Sequence, residues 1–276
     1  MSGTLYLVST PIGNLGDITL RALETLKSVS AIACEDTRHS AVLLNHYGIK
    51  KPLIALHKFN ELERGSEVVR RVSEGEDIAY ITDAGMPCIS DPGQRLVELC
   101  IEAEVSYTVL PGANAALSAL VLSGFDSGSF AFCGFIPEKQ SERTEFFERL
   151  RYFKGTLLFY SAPHNLERDL QRLFDALGAR RACAVKEITK LYERTAFLTL
   201  GEKFDGQPRG EYVIVVEGAP DQRQSLANEL TVIQHLTLHL NSGMSKMDAI
   251  RLTAKERGIP KSAVYSAALE IDGKKD

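Results

Sequence analysis

Several features that would assign a chain at once to a common class are missing from this one. There is no C-x-x-C pair, and the five cysteines, Cys34, Cys88, Cys100, Cys133 and Cys183, are odd in number and lie mostly in apolar segments. That excludes a disulfide framework and reads as reduced core thiols of a cytoplasmic protein. No apolar run is unbroken: the longest, 108–125, is interrupted by Pro111, Gly112, Asn114, Ser118 and Ser123, too polar to span a bilayer. The start of the chain enters a strand-like run without the basic region and small-residue cleavage site of a signal peptide, so secretion is not expected. Neither sign of charge dominates, with 32 Lys and Arg against 36 Asp and Glu and a net charge of −4. No global field therefore announces a nucleic-acid or membrane partner, and a polyanion would have to be gripped locally. No internal repeat or low-complexity segment is evident. His39, His57 and the nearby carboxylates lack recognised ligand spacing, so no metal is expected.

What is present is a run of alternating β and α signals in a chain of 276 residues, 44% of them apolar, long enough for two domains. Strands are predicted at 5–9, 31–34, 53–56, 77–81 and 107–110. A helix with Leu20, Leu23 and Leu26 on one side follows the first, with Asp17 and Thr19 as its candidate caps. Such alternation predicts stacked β-α units around a mainly parallel sheet. After Pro111-Gly112 the pattern restarts with a small-residue helix over 113–123 and a strand at 130–135. One helix face would then carry Phe146, Leu150 and Phe153. A stronger stripe joins Leu166, Leu170, Leu173, Phe174 and Leu177. Strands at 156–160, 182–186, 195–200 and 212–216 suggest an antiparallel meander, hence a mixed sheet. From Asp221 the strand signals stop. Small helices follow, one with Met247, Ile250 and Ala254 on a stripe, and Lys246, Arg251, Lys255, Arg257 and Lys261 outnumber Asp248 and Glu256 there. The expected division is 1–112, 113–220 and a helical segment 221–276.

In a parallel α/β sheet, ligands collect outside the carboxyl ends of the strands. Three loops stand there. Loop 10–17 combines Pro11 with Gly13 and Gly16; it is no G-x-G-x-x-G fingerprint. Loop 82–93 packs Asp83 and Asp91 with two glycines and two prolines ahead of the helical run 94–99. Asp83 and Asp91 could accept hydrogen bonds from an ammonium or a ribose hydroxyl, while Asp91 could instead cap that helix. Loop 111–116 opens the small-residue helix, whose N-terminal amides could meet a ligand. Two polar clusters share the expected rim: Glu35-Asp36-Thr37-Arg38-His39 and His57-Lys58-Phe59-Asn60-Glu61.

With these residues in view the chain resembles the tetrapyrrole methylase superfamily, and within it the bacterial ribosomal RNA small-subunit methyltransferase I branch. The resemblance runs through segments 9–15, 35–38, 57–61, 83–93, 111–115, 134–137, 159–164, 186–190 with Glu193, and 210–213. Glu-Asp-Thr-Arg with His-x-x-Asn-Glu is similar to the RNA branch rather than to those acting on corrinoid precursors or diphthamide. Departures are Met86 where threonine is frequent, Thr82 for serine and Lys186 for arginine. The resemblance implies a two-domain α/β fold that binds S-adenosylmethionine between its halves, usually as a homodimer, and methylates a cytidine ribose 2′-hydroxyl in small-subunit ribosomal RNA. Carried onto this sequence, cofactor contacts fall to Pro11, Asp83, Ala84, Gly85, Met86, Ser90, Asn114, Ala115, Tyr160, Ser161, Ala162, Thr189 and Lys190.

A sulfonium methyl is already electrophilic, so the protein must chiefly align it with the attacking oxygen. The weakly acidic 2′-hydroxyl still needs a proton acceptor. Glu187 is the first candidate, with Glu35 and Asp36 as substitutes. Arg38 or Lys190 would hold a neighbouring phosphate, with His57, Asn60 and Glu61 on the substrate side and the basic tail as a further backbone contact. Two other readings are methylation of a small tetrapyrrole and a non-catalytic nucleotide-binding, ribosome-associated module.

Overall fold

The computed structural model describes residues 2–204, 209–220 and 230–272. The chain divides into two compact units, Met1–Glu148 with Gly155–Glu217, and Arg149–Lys154 with Gly218–Asp276. The first unit carries both sheets.

Its first sheet is wholly parallel. Strands β1 (Thr4–Val8), β2 (Ala31–Cys34), β3 (Leu53–Ala55), β4 (Ile78–Ile81) and β5 (Ser106–Leu110) stand in the order β3-β2-β4-β1-β5. Helices α1 (Leu20–Ser28), α2 (Thr37–His46), α3 (Glu61–Ser73) and α4 (Gln94–Glu102) join them. Both faces are covered, so β2 and β4 are buried at every residue. The period-2 alternation of β4 sorts its side chains: Ile78 and Tyr80 pack with Val68, Val72 and Leu96, whereas Ala79 and Ile81 pack with Leu26 and Leu44. Each fully buried Leu or Ile among them contributes about 1.5–3 kcal/mol. Of the two candidate caps of α1, Thr19 takes the role, its hydroxyl accepting from the Ala22 N–H at 3.1 Å.

The second sheet has the order β6-β7-β10-β8-β9, from strands β6 (Phe130–Phe135), β7 (Thr156–Ser161), β8 (Arg181–Lys186), β9 (Arg194–Thr199) and β10 (Tyr212–Val216). It is mixed, as expected, but it is no meander. β10 pairs antiparallel with both β7 and β8 and is the central strand, while β9 is turned outward as an edge. The physical reason lies in composition: Tyr-Val-Ile-Val-Val is buried at all five positions, which suits the centre, whereas β9 exposes Phe197. Helix α5 (Ala115–Ser123) covers one face through Ala116, Ala119 and Leu120. Helix α7 (Leu166–Leu177) buries the stripe Leu166, Leu170, Leu173 and Leu177. Helix α6 (Gln140–Leu150) stops before Phe153, which therefore does not extend its face.

The second unit is built from α8 (Val232–Asn241), α9 (Lys246–Arg257) and α10 (Lys261–Asp272) around Leu236, Ala249, Ile250, Ala254, Val264 and Ala268. Of the predicted stripe, Ile250 and Ala254 are buried and Met247 is exposed; the buried arc turns instead through Ala249. Segment 221–229, on which the expected helical tail begins, lies outside the described residues. Among the described residues no helix is long and apolar enough to cross a membrane.

Candidate active site

The loops that follow β1 and β4 are stitched together. Thr10 and Gly85 exchange backbone hydrogen bonds of 2.8 and 3.1 Å, and the Thr10 hydroxyl donates to the Thr82 carbonyl at 3.2 Å. Gly85 has φ +78°, and a Cβ there would stand 3.3 Å from Ile12 Cγ2. Within the same loop Cys88 and Ser90 hold positive φ of 69° and 64° without being glycine. Strain of this kind persists only where the surroundings enforce it, and it clusters at ligand sites. Glu61, the first residue of α3, supplies part of that enforcement: its Oε1 accepts from the Gly93 N–H at 2.7 Å and the Arg95 N–H at 3.1 Å. Glu61, not Asp91, therefore caps α4, and Asp91 is released to the cavity.

That cavity, of about 330 Å³, has Ala84, Gly85, Met86, Ser90 and Asp91 on one side and Asn114 and Ala115 at the start of α5. Opposite stand Tyr160, Ser161 and Ala162 at the end of β7, then Glu187, Lys190 and Glu211. Each is fixed from behind. Asn114 Oδ1 caps α5 by accepting from the Leu117 N–H at 2.9 Å. The ring of Tyr160 meets those of Phe132 and Phe135 edge-on, with centroids 4.9 and 5.6 Å away. Ser161 Oγ donates to the buried Asp169 at 2.7 Å.

A second cavity of about 330 Å³ is lined by Pro11, Gly13, His39, Ser40 and Asp83. It shares Ile12, Ala84, Lys190 and Glu211 with the first. The two chambers thus abut on a common wall, and the only titratable groups in that wall are a lysine and a glutamate. Lys190 Nζ donates to Glu187 Oε1 at 3.1 Å and Glu211 Oε2 at 2.8 Å, while the Glu211 N–H donates to Glu187 Oε1 at 2.8 Å. Burial pushes the Glu187 carboxyl up, but the backbone N–H of Glu211 and the ammonium of Lys190 outweigh it and hold it below the ordinary value. Lys190 is affected conversely: burial lowers it, and its bonds to Glu211 and Glu187 leave it raised and charged.

The carboxylates of the parallel-sheet rim behave in the opposite way. Burial, followed by the charge of Asp83, raises Glu35. Burial, then the charges of Glu35 and Asp83, pushes Asp91 up to about 6. Asp83 Oδ1 is buried without a hydrogen-bond partner. Asp36 differs: hydrogen bonds from the side chain and backbone of Arg38 hold it at about 2, and it serves as N-cap of α2.

Among the residues singled out in the sequence, Ala84, Gly85, Met86, Ser90, Asn114, Ala115, Tyr160, Ser161, Ala162, Glu187 and Lys190 surround the first cavity, and Pro11 and Asp83 the second. Thr189 lines neither: its hydroxyl donates to Asp17 and its N–H to Glu193, both at 2.5 Å. Arg38 points outward with its side chain 90% exposed. Asn60 is occupied locally, its Oδ1 accepting from the His57 N–H and its Nδ2 donating to the Ala55 carbonyl. His57 Nδ1 is buried without a partner. Sequence reasoning assigned no role to Glu211 or Ile12. Only the motif 210–213, without a role attached, pointed to the former.

The family profile of the Tetrapyrrole (Corrin/Porphyrin) Methylases matches residues 4–203. The chain is 39% identical over 271 residues to a protein of Halalkalibacterium halodurans called ribosomal RNA small subunit methyltransferase I, covering 96% of this chain and 94% of that one. It is 41% identical over 273 residues to the protein of that name from Mesorhizobium japonicum, covering 97% and 92%. Among solved structures, uroporphyrin-III-C-methyltransferase from Thermus thermophilus superposes with a TM-score of 0.56 at 19% identity, over 77% of this chain and 94% of that one. That likeness concerns the fold.

Proposed function

Since the chain belongs to the tetrapyrrole methylase family, and there to the ribosomal RNA small subunit methyltransferase I group, we propose that it methylates a cytidine ribose 2′-hydroxyl of small-subunit ribosomal RNA. One observation carries the reading beyond kinship: two equal chambers abut at Ile12, Ala84, Lys190 and Glu211, as a donor and an acceptor must. S-adenosylmethionine is the methyl donor, and when bound it supplies a methyl group on a positively charged sulfur that is already electrophilic. The residues present fit it. Apolar Ile12, Met86, Ile89 and Val213 offer a surface for a flat base. Asp91 suits a ribose hydroxyl or an ammonium, while Asp83, with its unpartnered buried oxygen, stands in the second chamber. Two carboxylates about one ammonium, Glu187 and Glu211 about Lys190, leave one negative charge in excess, which favours a cationic ligand.

For the acceptor, Lys190, which lines the second chamber, would hold a phosphate oxygen as a point charge. Its own carboxylates keep it from swinging away. The proton of the 2′-hydroxyl goes to a carboxylate oxygen of Glu35, which lines neither chamber itself but stands close enough to Asp83 of the second for their charges to interact. Glu35 is the more basic of the three candidates, while Glu187 and Asp36 are both committed to cations and backbone N–H groups. In this reading Glu187 positions Lys190. The ribose must be presented from an exposed, unstacked nucleotide. A tetrapyrrole substrate and a non-catalytic module are not favoured, because the relatives alike over nearly the full length are named for ribosomal RNA methylation. We place the activity in the cytoplasm and in a homodimer, as the family resemblance implies, and sedimentation of the purified chain tests the latter. Mass-spectrometric mapping of ribosomal RNA from cells lacking the chain should show one cytidine ribose methyl group missing. A map identical to that of the parent cells would overturn the reading.

A further inference from the structure

The helical unit holds a cluster that the methylation chemistry does not use. His235 and His239 stand one turn apart on α8, and Glu256 reaches them from the last turn of α9. One ligand atom of each lies within 4.8 Å of the other two. Nε2 of His239 lies 2.8 Å and Nε2 of His235 3.1 Å from the same oxygen, Glu256 Oε2. The His235 ring is fully buried; its Nε2 faces Glu256 and its Nδ1 has no hydrogen-bond partner. A buried imidazole with an orphaned nitrogen costs about 1–3 kcal/mol, so an apolar side chain would serve the core better unless something else engages the ring.

We propose that His235, His239 and Glu256 form a binding site for a divalent transition metal of the zinc type, which staples α8 to α9.

The chemistry of the set supports this. Two imidazoles and one carboxylate are ligands of borderline character suited to zinc, and His-x-x-x-His on a helix puts both rings on one face. Ligand bonds of about 2.0–2.1 Å in a tetrahedral site separate the ligand atoms by about 3.3 Å. The observed 2.8 and 3.1 Å therefore need to open by only a few tenths of an ångström. Three protein ligands leave the fourth position open, on the side of His239, whose side chain is the most exposed of the three.

The location also gives the site a purpose. Among the described residues, the buried core of this unit is six residues, Leu236, Ala249, Ile250, Ala254, Val264 and Ala268, three of them alanines. So small a core rarely suffices alone, and structural metals are one remedy. His39 and His57 lack ligand spacing, whereas His235-x-x-x-His239 has it.

The test uses the full chain and zinc ion alone, in competition with a chromophoric chelator. One zinc per chain should be retained, and the melting temperature should rise with zinc. His239→Ala and Glu256→Gln should each weaken binding about 100-fold or more, with helical circular dichroism confirming that they fold. Because five cysteines elsewhere could also take zinc, cobalt substituted into the unaltered chain provides a readout independent of folding of the variants. It should give four-coordinate visible bands without thiolate charge transfer. Loss of all zinc to the chelator, unchanged affinity in both variants, or a thiolate signature would each overturn the proposal.

Discussion

The two sheets of the first unit each have five strands, yet they deliver residues to the site in different ways. In the parallel sheet every strand ends on the same rim, so the loops after β1 and β4 come together by topology alone and the Thr10–Gly85 bridge fastens them. In the mixed sheet the site draws on the end of β7, the end of β8 and the approach to β10, because β10 runs antiparallel between them and sets Glu211 beside Glu187. Charge follows the same division. Glu35 and Asp91 on the parallel rim are raised, whereas Glu187 across from them, matched to a cation, is lowered. One rim therefore supplies basicity and the other supplies placement.

The sharpest way to break this contrast is to exchange the carboxylates for amides. Glu35→Gln should lower single-turnover methylation about 10²–10⁴-fold with cofactor affinity little changed. Glu187→Gln should cost about tenfold, mostly through weaker acceptor binding as Lys190 loosens. Equal losses in both, or a larger loss for Glu187→Gln, would return the proton-acceptor role to Glu187. Next in size is Gly93→Ala. Gly93 has φ +123°, and its new Cβ would stand 2.7 Å from the Tyr80 ring and 2.9 Å from Cys88 Sγ. Destabilisation of about 2–4 kcal/mol is expected by chemical denaturation. Glu61→Gln removes the charge that clasps the same loop. It should cost about 1 kcal/mol and slow methylation without altering the mixed-sheet rim.

The smallest expected effect concerns Asp91. Its folded value near 6 lies above the ordinary 3.8, so the folded chain holds this proton more tightly than the unfolded one. Stability from this group is thus complete below about pH 4 and is lost as pH rises through 6. Asp91→Asn never ionises. Its melting temperature should exceed that of the parent at pH 7, with the advantage vanishing at pH 4. An advantage that grows on acidification would refute the assignment.

How much of the fold and site is legible in the sequence shows in particular residues. Alternation and length located the strands of the parallel sheet to within a residue or two, because fully buried strands and amphipathic helices have distinct periods. Asn114 and the loop 82–93 were visible as glycine- and proline-rich punctuation at strand ends. What escaped were the long-range partnerships. Nothing local in Gly-Glu-Tyr-Val says that Glu211 meets a lysine 21 residues earlier, since that depends on which strands β10 joins. Likewise the aspartate nearest α4 was the natural guess for its cap, whereas the carboxylate that does the work comes from 32 residues upstream.

That carboxylate, on Glu61, has a thermodynamic corollary. It ties the segment leaving β3 to the loop beside the donor chamber through two charge-assisted bonds, so thermal motion of one is motion of the other. A donor that stills the loop removes disorder which an acceptor would otherwise have to remove for itself. The two ligands then bind with positive cooperativity even if no atom shifts. The order of addition is biased without being enforced, and breaking the clasp should make the two affinities independent.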